Sequence, residues 1–193
     1  VFATLDEAFG RTEADEEIQD LLKFSQGLNL GLHYLSGAIT YDAATNDCDE
    51  VLASKIVWLD AFITNVDRTF KNTNLLIWKK ELWLIDHGAA FYFHHSWDNW
   101  KTTATTPFAL IKDHVLLPKA TKLEEAHNEF ISKLTKNSIK ELVNKIPEDW
   151  LLWEDKSLSP EEIKEVYFQF LSIRLANAEI FLKQAQDART TLI

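Results

Sequence analysis

A chain of 193 residues carries 30 acidic and 20 basic side chains, a formal net charge of −10. That balance excludes a general nucleic-acid surface, which needs a basic excess, and no apolar run reaches the roughly 18 residues of a membrane span. One cysteine, Cys48, excludes an internal disulfide and makes a reducing cytoplasm the expected setting.

Seven Trp and twelve Phe predict an aromatic-rich core within one large domain. The sequence contains no methionine and opens abruptly on a strand-like run over residues 1–5, so it reads as a piece of a longer protein. Residues 14–24 place Ile18, Leu21 and Leu22 at helical spacing, with acidic residues 13–17 where a helix start favours them. Residues 27–37 are the glycine-richest stretch and read as a loop. Within it, Gly27-Leu28-Asn29-Leu30-Gly31 lacks the Lys-Ser/Thr of a phosphate loop. Residues 49–63 form the strongest helical pattern, with Leu52, Ile56, Leu59 and Ile63 stepping by four, three and four. Residues 75–78 and 82–85 are apolar runs flanking Lys79-Lys80-Glu81, which predicts a short β-hairpin. An aromatic segment follows over 89–100, then a threonine-rich loop over 102–106. Thr121 with Glu124, Ser138 with Glu141, and Ser159-Pro160 with Glu162 read as capping boxes. They open helices near 122–135, 139–145 and 160–187. The expected fold class is mainly α, with strand confined to residues 1–5 and the hairpin.

The chemistry concentrates between residues 65 and 88. Asp67 is followed five residues later by Asn72, then by the hairpin, then by Asp86-His87-Gly88. Phosphoryl transfer needs a positioned hydroxyl nucleophile and neutralised phosphate charge more than it needs covalent help. A carboxylate at Asp67 can orient the hydroxyl. The Asn72 amide oxygen and the Asp86 carboxylate suit the hard Mg²⁺ ion. Lys71 is a candidate phosphate contact, and Leu76 and Ile85 are candidates for the floor of an adenine pocket. Turns and caps also favour Asp and Asn whatever the function, and that reading competes on spacing alone. Arg68 reads as structural, paired to an acidic neighbour. His87, His94 and His95 with Asp86 and Asp98 invite a metal reading. Adjacent histidines point to different faces, however, and a zinc site wants three or four convergent ligands. They read as aromatic-cluster or surface residues, with His87 packing before Gly88. Trp58, Trp78, Trp83, Trp97 and Trp100 read as core. Cys48, between Asp47 and Asp49, lacks the positive surroundings of an activated thiol.

The order of D-x4-N loop, hairpin and Asp-x-Gly resembles that of protein-kinase-like phosphotransferases. The loop is similar to that of HipA-type serine/threonine kinases, N-x-D-x-H-x-K-N, matched by Asn65, Asp67, Lys71 and Asn72, with Thr69 in the histidine position. Residues 27–38, 58–69, 82–88 and 93–97 resemble a bacterial HipA-like subfamily. The likeness covers most of residues 1–118 and weakens beyond. It implies the helical C-terminal lobe of a protein-kinase-like fold, with a small β-hairpin carrying the metal-binding residues. It further implies ATP and Mg²⁺ as cofactors, and transfer of the γ-phosphoryl to a Ser/Thr or other hydroxyl of an unknown protein or small-molecule acceptor. Asp67 would be catalytic, assisted by Lys71, while Asn72 and Asp86 would hold metal and nucleotide. An N-terminal lobe ahead of Val1 is implied, because neither Lys23 nor Lys55 sits in the strand such a lobe supplies. Residues 1–13 would then be hinge, 14–118 catalytic core and 119–193 a C-terminal helical part, and the 193 residues without that lobe would be inactive. Two other readings stay open: a non-catalytic nucleotide- or partner-binding module of the same fold, and a helical metal-dependent hydrolase using Asp86, His87, His94 and His95.

Overall fold

The computed structural model describes residues 1–9, 13–152 and 158–192. It opens with β1 (Phe2–Leu5), α1 (Glu16–Phe24) and β2 (Gly27–Leu30). Asp15 caps α1 by accepting from the N–H groups of Glu17 and Ile18, with Glu16 and Glu17 in the first turn, as the acidic start predicts. β2 pairs antiparallel with β1, Phe2 opposite Leu30 and Leu5 opposite Gly27. This corrects the loop expected from residue 27. Gly27, at φ +99°, turns the chain into the strand, and Leu28-Asn29-Leu30 then run extended. The stretch 1–13 expected as hinge holds β1, and its residues 10–12 lie outside the described residues.

β3 (Ile39–Thr40) leads to α2 (Glu50–Phe62), which Asp49 caps. α2 packs against later helices on several sides, and Ala53, Ile56, Val57, Trp58, Asp60, Ala61 and Phe62 are all buried. Of the predicted stripe only Ile56 is buried, and Leu52 is 39% exposed. A helix surrounded by neighbours is apolar round most of its circumference, so a single-stripe reading selects the wrong edge.

β4 (Leu75–Trp78) and β5 (Glu81–Leu84) form the predicted hairpin, Leu75 opposite Leu84 and Trp78 opposite Glu81. Lys79 and Lys80, at φ 51° and 70°, make its two-residue turn, as the twist of tight hairpins requires. β5 therefore begins one residue earlier than its apolar run. β3 pairs with the other edge of β4.

Short 3₁₀ turns over Tyr92–Asn99, kinked at Ser96, run into α3 (Trp100–Thr105), where the threonine-rich stretch reads as a loop. The hydroxyls of Thr103 and Thr106 donate back to the carbonyls of Asn99 and Thr102, at 3.2 and 2.6 Å. Such bonds to carbonyls of the preceding turn are compatible with a short helix, although threonine is a poor helix former. The remaining helices are α4 (Leu123–Lys133), α5 (Lys136–Asn144), α6 (Pro160–Ala176) and α7 (Ala178–Thr190).

Ser159 and Glu162 form the predicted capping box at α6. The other two expected boxes do not form. α5 is boxed by Thr135 and Ser138, while the Thr121 hydroxyl donates to Glu50 on α2 at 2.5 Å and leaves α4 without a side-chain cap. The single helix expected over 160–187 breaks at Asn177, whose amide donates to Ile173 O at 2.8 Å.

Trp58 centres the core, stacked on Phe130 at 4.5 Å and meeting Phe181 edge-on at 5.2 Å. Its indole N–H donates to His127 Nδ1 at 3.2 Å. Trp83 departs from the core expectation at 36% exposed, and Trp78, Trp97 and Trp100 are half-buried. Arg174 on α6 is fully buried and donates to the carbonyls of Ala61 and Phe62 at 2.7–3.1 Å and to those of Thr103 and Thr106 at 3.3 and 3.0 Å. Burial pulls its pKa down to about 10, which leaves it cationic at neutral pH. A cation there satisfies the last carbonyls of α2, the end where a helix carries negative charge.

Trp58→Ala is expected to cost about 3–5 kcal/mol, read from urea unfolding. Leu52→Ala, on the predicted but exposed stripe, should stay within about 0.5 kcal/mol. Equal costs would contradict this placement of α2.

Candidate functional site

α2 ends at Phe62, and the chain turns through Thr64 at φ 53°, an unfavourable conformation for a β-branched residue. The turn is held from both sides. Asn65 N–H donates to Asp60 O at 2.9 Å, and Phe91 N–H donates to Ile63 O at 2.7 Å. The loop after it is anchored from beneath by a buried ion pair. Arg68 Nε lies 2.6 Å from Asp60 Oδ2, both side chains lacking solvent contact. Asp60 sits one helix turn before the loop. Arg68 thus has the structural role expected for it, with a partner eight residues away.

Four segments meet on this pair. The Asn65 amide donates to Asp60 Oδ1 at 3.0 Å, and His114 Nε2 lies 2.9 Å from Asp60 Oδ2. Leu116 N–H donates to His114 Nδ1 at 3.0 Å, so the ring is neutral with its proton on Nε2, given to Asp60. The other Arg68 nitrogens reach the carbonyl of Asn74 and His87 Nε2, the latter at 3.1 Å. As a donor, Arg68 requires an unprotonated acceptor on His87. That gives His87 a polar anchoring role rather than the packing role expected.

Above this floor, Asp67 Oδ2 accepts from the Asn72 amide at 2.7 Å and the Asn74 amide at 3.2 Å. Thr69, in the position where similar loops carry His, accepts from Asn72 N–H at 3.3 Å and closes the loop. A cleft of about 630 Å³ opens beside it, lined among others by Tyr41, Lys71, Asn72, Leu76, Ile85 and Val115. The structure therefore brings Lys71, Asn72, Leu76 and Ile85 to one cleft and joins Asp67 to Asn72. Asp86 follows Ile85 at the end of the hairpin, at φ 47°, with Oδ1 accepting from Gly88 N–H at 3.2 Å. It meets the loop through Asn74, whose amide lies 3.4 Å from Asp86 O. No hydrogen bond joins the side chains of Asn72 and Asp86.

The histidines do not converge. His94 Nε2 is 2.9 Å from Tyr167 Oη, His95 packs on the Tyr92 ring at 4.8 Å, and His87 is on Arg68. Among the described residues no group of three or more His, Cys, Asp or Glu gathers as a metal cluster. Burial pushes the Cys48 thiol up, in line with an unactivated cysteine. Sequence reasoning missed Asp60, Asn74 and His114. Asp60 was signalled by a lone carboxylate inside the apolar run Val57–Phe62, and Asn74 by the second asparagine of Asn72-Thr73-Asn74. His114 left no signal.

The family model for HipA-like kinases matches residues 11–179, and the chain belongs to that family. The match supports a kinase-type function. No curated protein and no solved structure matches the chain.

Burial holds the His114 pKa below its ordinary value, against the pull of Asp60. Asp60 is also lowered overall: burial acts to raise it, but the His114 hydrogen bond and Arg68 outweigh burial. The unfolded chain therefore binds more protons than the folded one below about pH 6.5, and again as pH falls through the range of Asp60. Stability should decline from pH 7.5 to pH 5, and His114→Gln should shrink that decline. Asp60→Asn at pH 7.5 strands Arg68 and should cost about 3–5 kcal/mol. Urea midpoints across pH check both, and a pH-independent midpoint would contradict the assignment.

Proposed function

We propose that the chain is the catalytic portion of an ATP- and Mg²⁺-dependent phosphotransferase, moving the γ-phosphoryl to a Ser/Thr or other hydroxyl. The observation that carries this reading is the Asp67–Asn72 pair, joined at 2.7 Å beside a cleft that also takes in Lys71, Leu76 and Ile85. Asp67 orients the acceptor hydroxyl and takes its proton. Lys71 contacts the transferred phosphate. Leu76 and Ile85 contribute an apolar floor for the base.

The donor set suits a magnesium ion. The Asn72 amide nitrogen is given to Asp67, leaving its oxygen as an acceptor, and Asp86 uses one oxygen on Gly88 and keeps the other. One carboxylate and one amide, completed by water and phosphate oxygens, match this ion's preference for few protein ligands. Held by Asn72 and Asp86, the ion would supply positive charge against that developing on the transferred phosphate. The scattered histidines give the hydrolase alternative no support. A preceding lobe that covers the nucleotide belongs to this reading.

In the complete protein that carries this chain, Asp67→Asn should lower turnover about 10²–10⁴-fold while nucleotide affinity holds. Asp86→Asn should lower turnover and also remove the Mg²⁺ dependence of nucleotide binding. Radiolabelled phosphate transfer and nucleotide titrations with and without Mg²⁺ measure both. Full activity in the two variants would sink the proposal.

A further inference from the structure

Asp67 uses its two oxygens unequally. Oδ2 accepts two amide N–H bonds, from Asn72 at 2.7 Å and Asn74 at 3.2 Å, whereas Oδ1 takes no hydrogen bond among the described residues. The two asparagines also differ. Both line the cleft, but Asn72 is exposed. Asn74 is only 8% exposed and stands where the loop, the hairpin and the segment of Asp86 meet. Its amide donates to Asp67 and to Asp86 O. Its own carbonyl accepts from Arg68 and, at 3.1 Å, from Ile85 N–H. It holds φ 47°, a conformation asparagine tolerates better than most residues. A two-donor amide is the smallest side chain that can bond a carboxylate and a carbonyl at once. A carboxylate at this position would set oxygen against oxygen.

We infer that Asn74 is a positioning residue for phosphoryl transfer: its amide clamps Asp67 Oδ2 to the backbone of Asp86, so that Oδ1 alone faces the acceptor hydroxyl. This rests on the kinase reading above and deepens it. The clamp fixes the carboxylate that receives the hydroxyl relative to the carboxylate that holds the metal. Such spacing governs rate more than affinity, because a small misplacement of a reacting group costs turnover steeply. The proton leaves the acceptor hydroxyl for Oδ1 as its oxygen bonds the γ-phosphorus and the bond to the leaving nucleoside diphosphate breaks.

The test is Asn74→Gly in the complete protein. Glycine accepts the positive φ and keeps the carbonyl bonded to Arg68 and Ile85, so only the amide is lost. Turnover should fall about 10–100-fold, with Mg²⁺-dependent ATP affinity within about threefold and the unfolding midpoint near that of the parent. Asn74→Asp, which faces a second carboxylate toward Asp67, should lose more turnover than Asn74→Gly. Turnover within about twofold of the parent in Asn74→Gly would overturn the clamp. So would a parallel loss of affinity and midpoint, which is what a purely structural role gives. A second readout needs no activity: in the 193-residue chain, Asp67→Ala should shift the side-chain amide resonances of Asn74, and unmoved resonances would overturn the clamp. A complete protein that transfers no phosphate at all sinks the kinase reading, whereas failure of the clamp alone shows as an active parent with an equally active Asn74→Gly.

Discussion

A carboxylate on α2 and a guanidinium eight residues later, both without solvent contact, are the pair on which the rest of the site depends. Removing two such ions from water costs several kcal/mol each, repaid only if geometry and further hydrogen bonds are good. Here they are. Asp60 takes Arg68, Asn65 and a neutral His114, while Arg68 also reaches the Asn74 carbonyl and His87. The pair is thus weak as a source of net stability and strong as a specification. These bonds tie α2, the loop after it, the hairpin base and the segment at His114 to one point. Asp67 is adjacent to Arg68 in sequence, so its place is fixed by a contact it does not itself make.

Strain collects around that anchor. Thr64, Asn74, Asp86 and Phe91 all adopt positive φ, and all border the loop or the Asp86-His87-Gly88 turn. Positions of this kind persist where the surroundings over-determine them, and they recur at functional sites. The surroundings here are specific bonds: Asn65 N–H and Phe91 N–H onto the end of α2, and Tyr92 N–H onto the Thr64 hydroxyl at 3.2 Å. Arg174 does for the far side of α2 what Arg68 does for the near side, tying its last carbonyls to α3 with a buried cation. The helix that delivers the loop is therefore held at its end by two arginines.

Local patterns in the sequence were legible where the physics is local. The Lys79-Lys80 turn between two apolar runs gave the hairpin, Ser159-Pro160 with Glu162 gave the start of α6, and Asp67, Asn72 and Asp86 stood out by spacing. The misses are tertiary. β2 forms because β1 pairs with it, although the glycines in and after it suggest a loop. α3 forms over a threonine-rich run whose composition alone suggests a loop. α2 is enclosed on several sides, so the stripe read from it is not its buried face. Within the site, Asp60 and His114 are 54 residues apart and meet only in the fold. Asn74 was hidden by its neighbour Asn72, which fits the motif spacing. The anchor beneath the Asp67 loop is a long-range feature that a loop motif does not carry.

The most direct test is a crystal structure of the complete protein with Mg²⁺ and a non-hydrolysable ATP analogue. The account predicts the ion about 2.0–2.1 Å from oxygens of Asn72 and Asp86, the adenine against Leu76 and Ile85, and Asp67 Oδ1 turned toward the γ-phosphate over an unchanged Asp60–Arg68 pair. A nucleotide bound away from this cleft, or an ion held by neither residue, would contradict it.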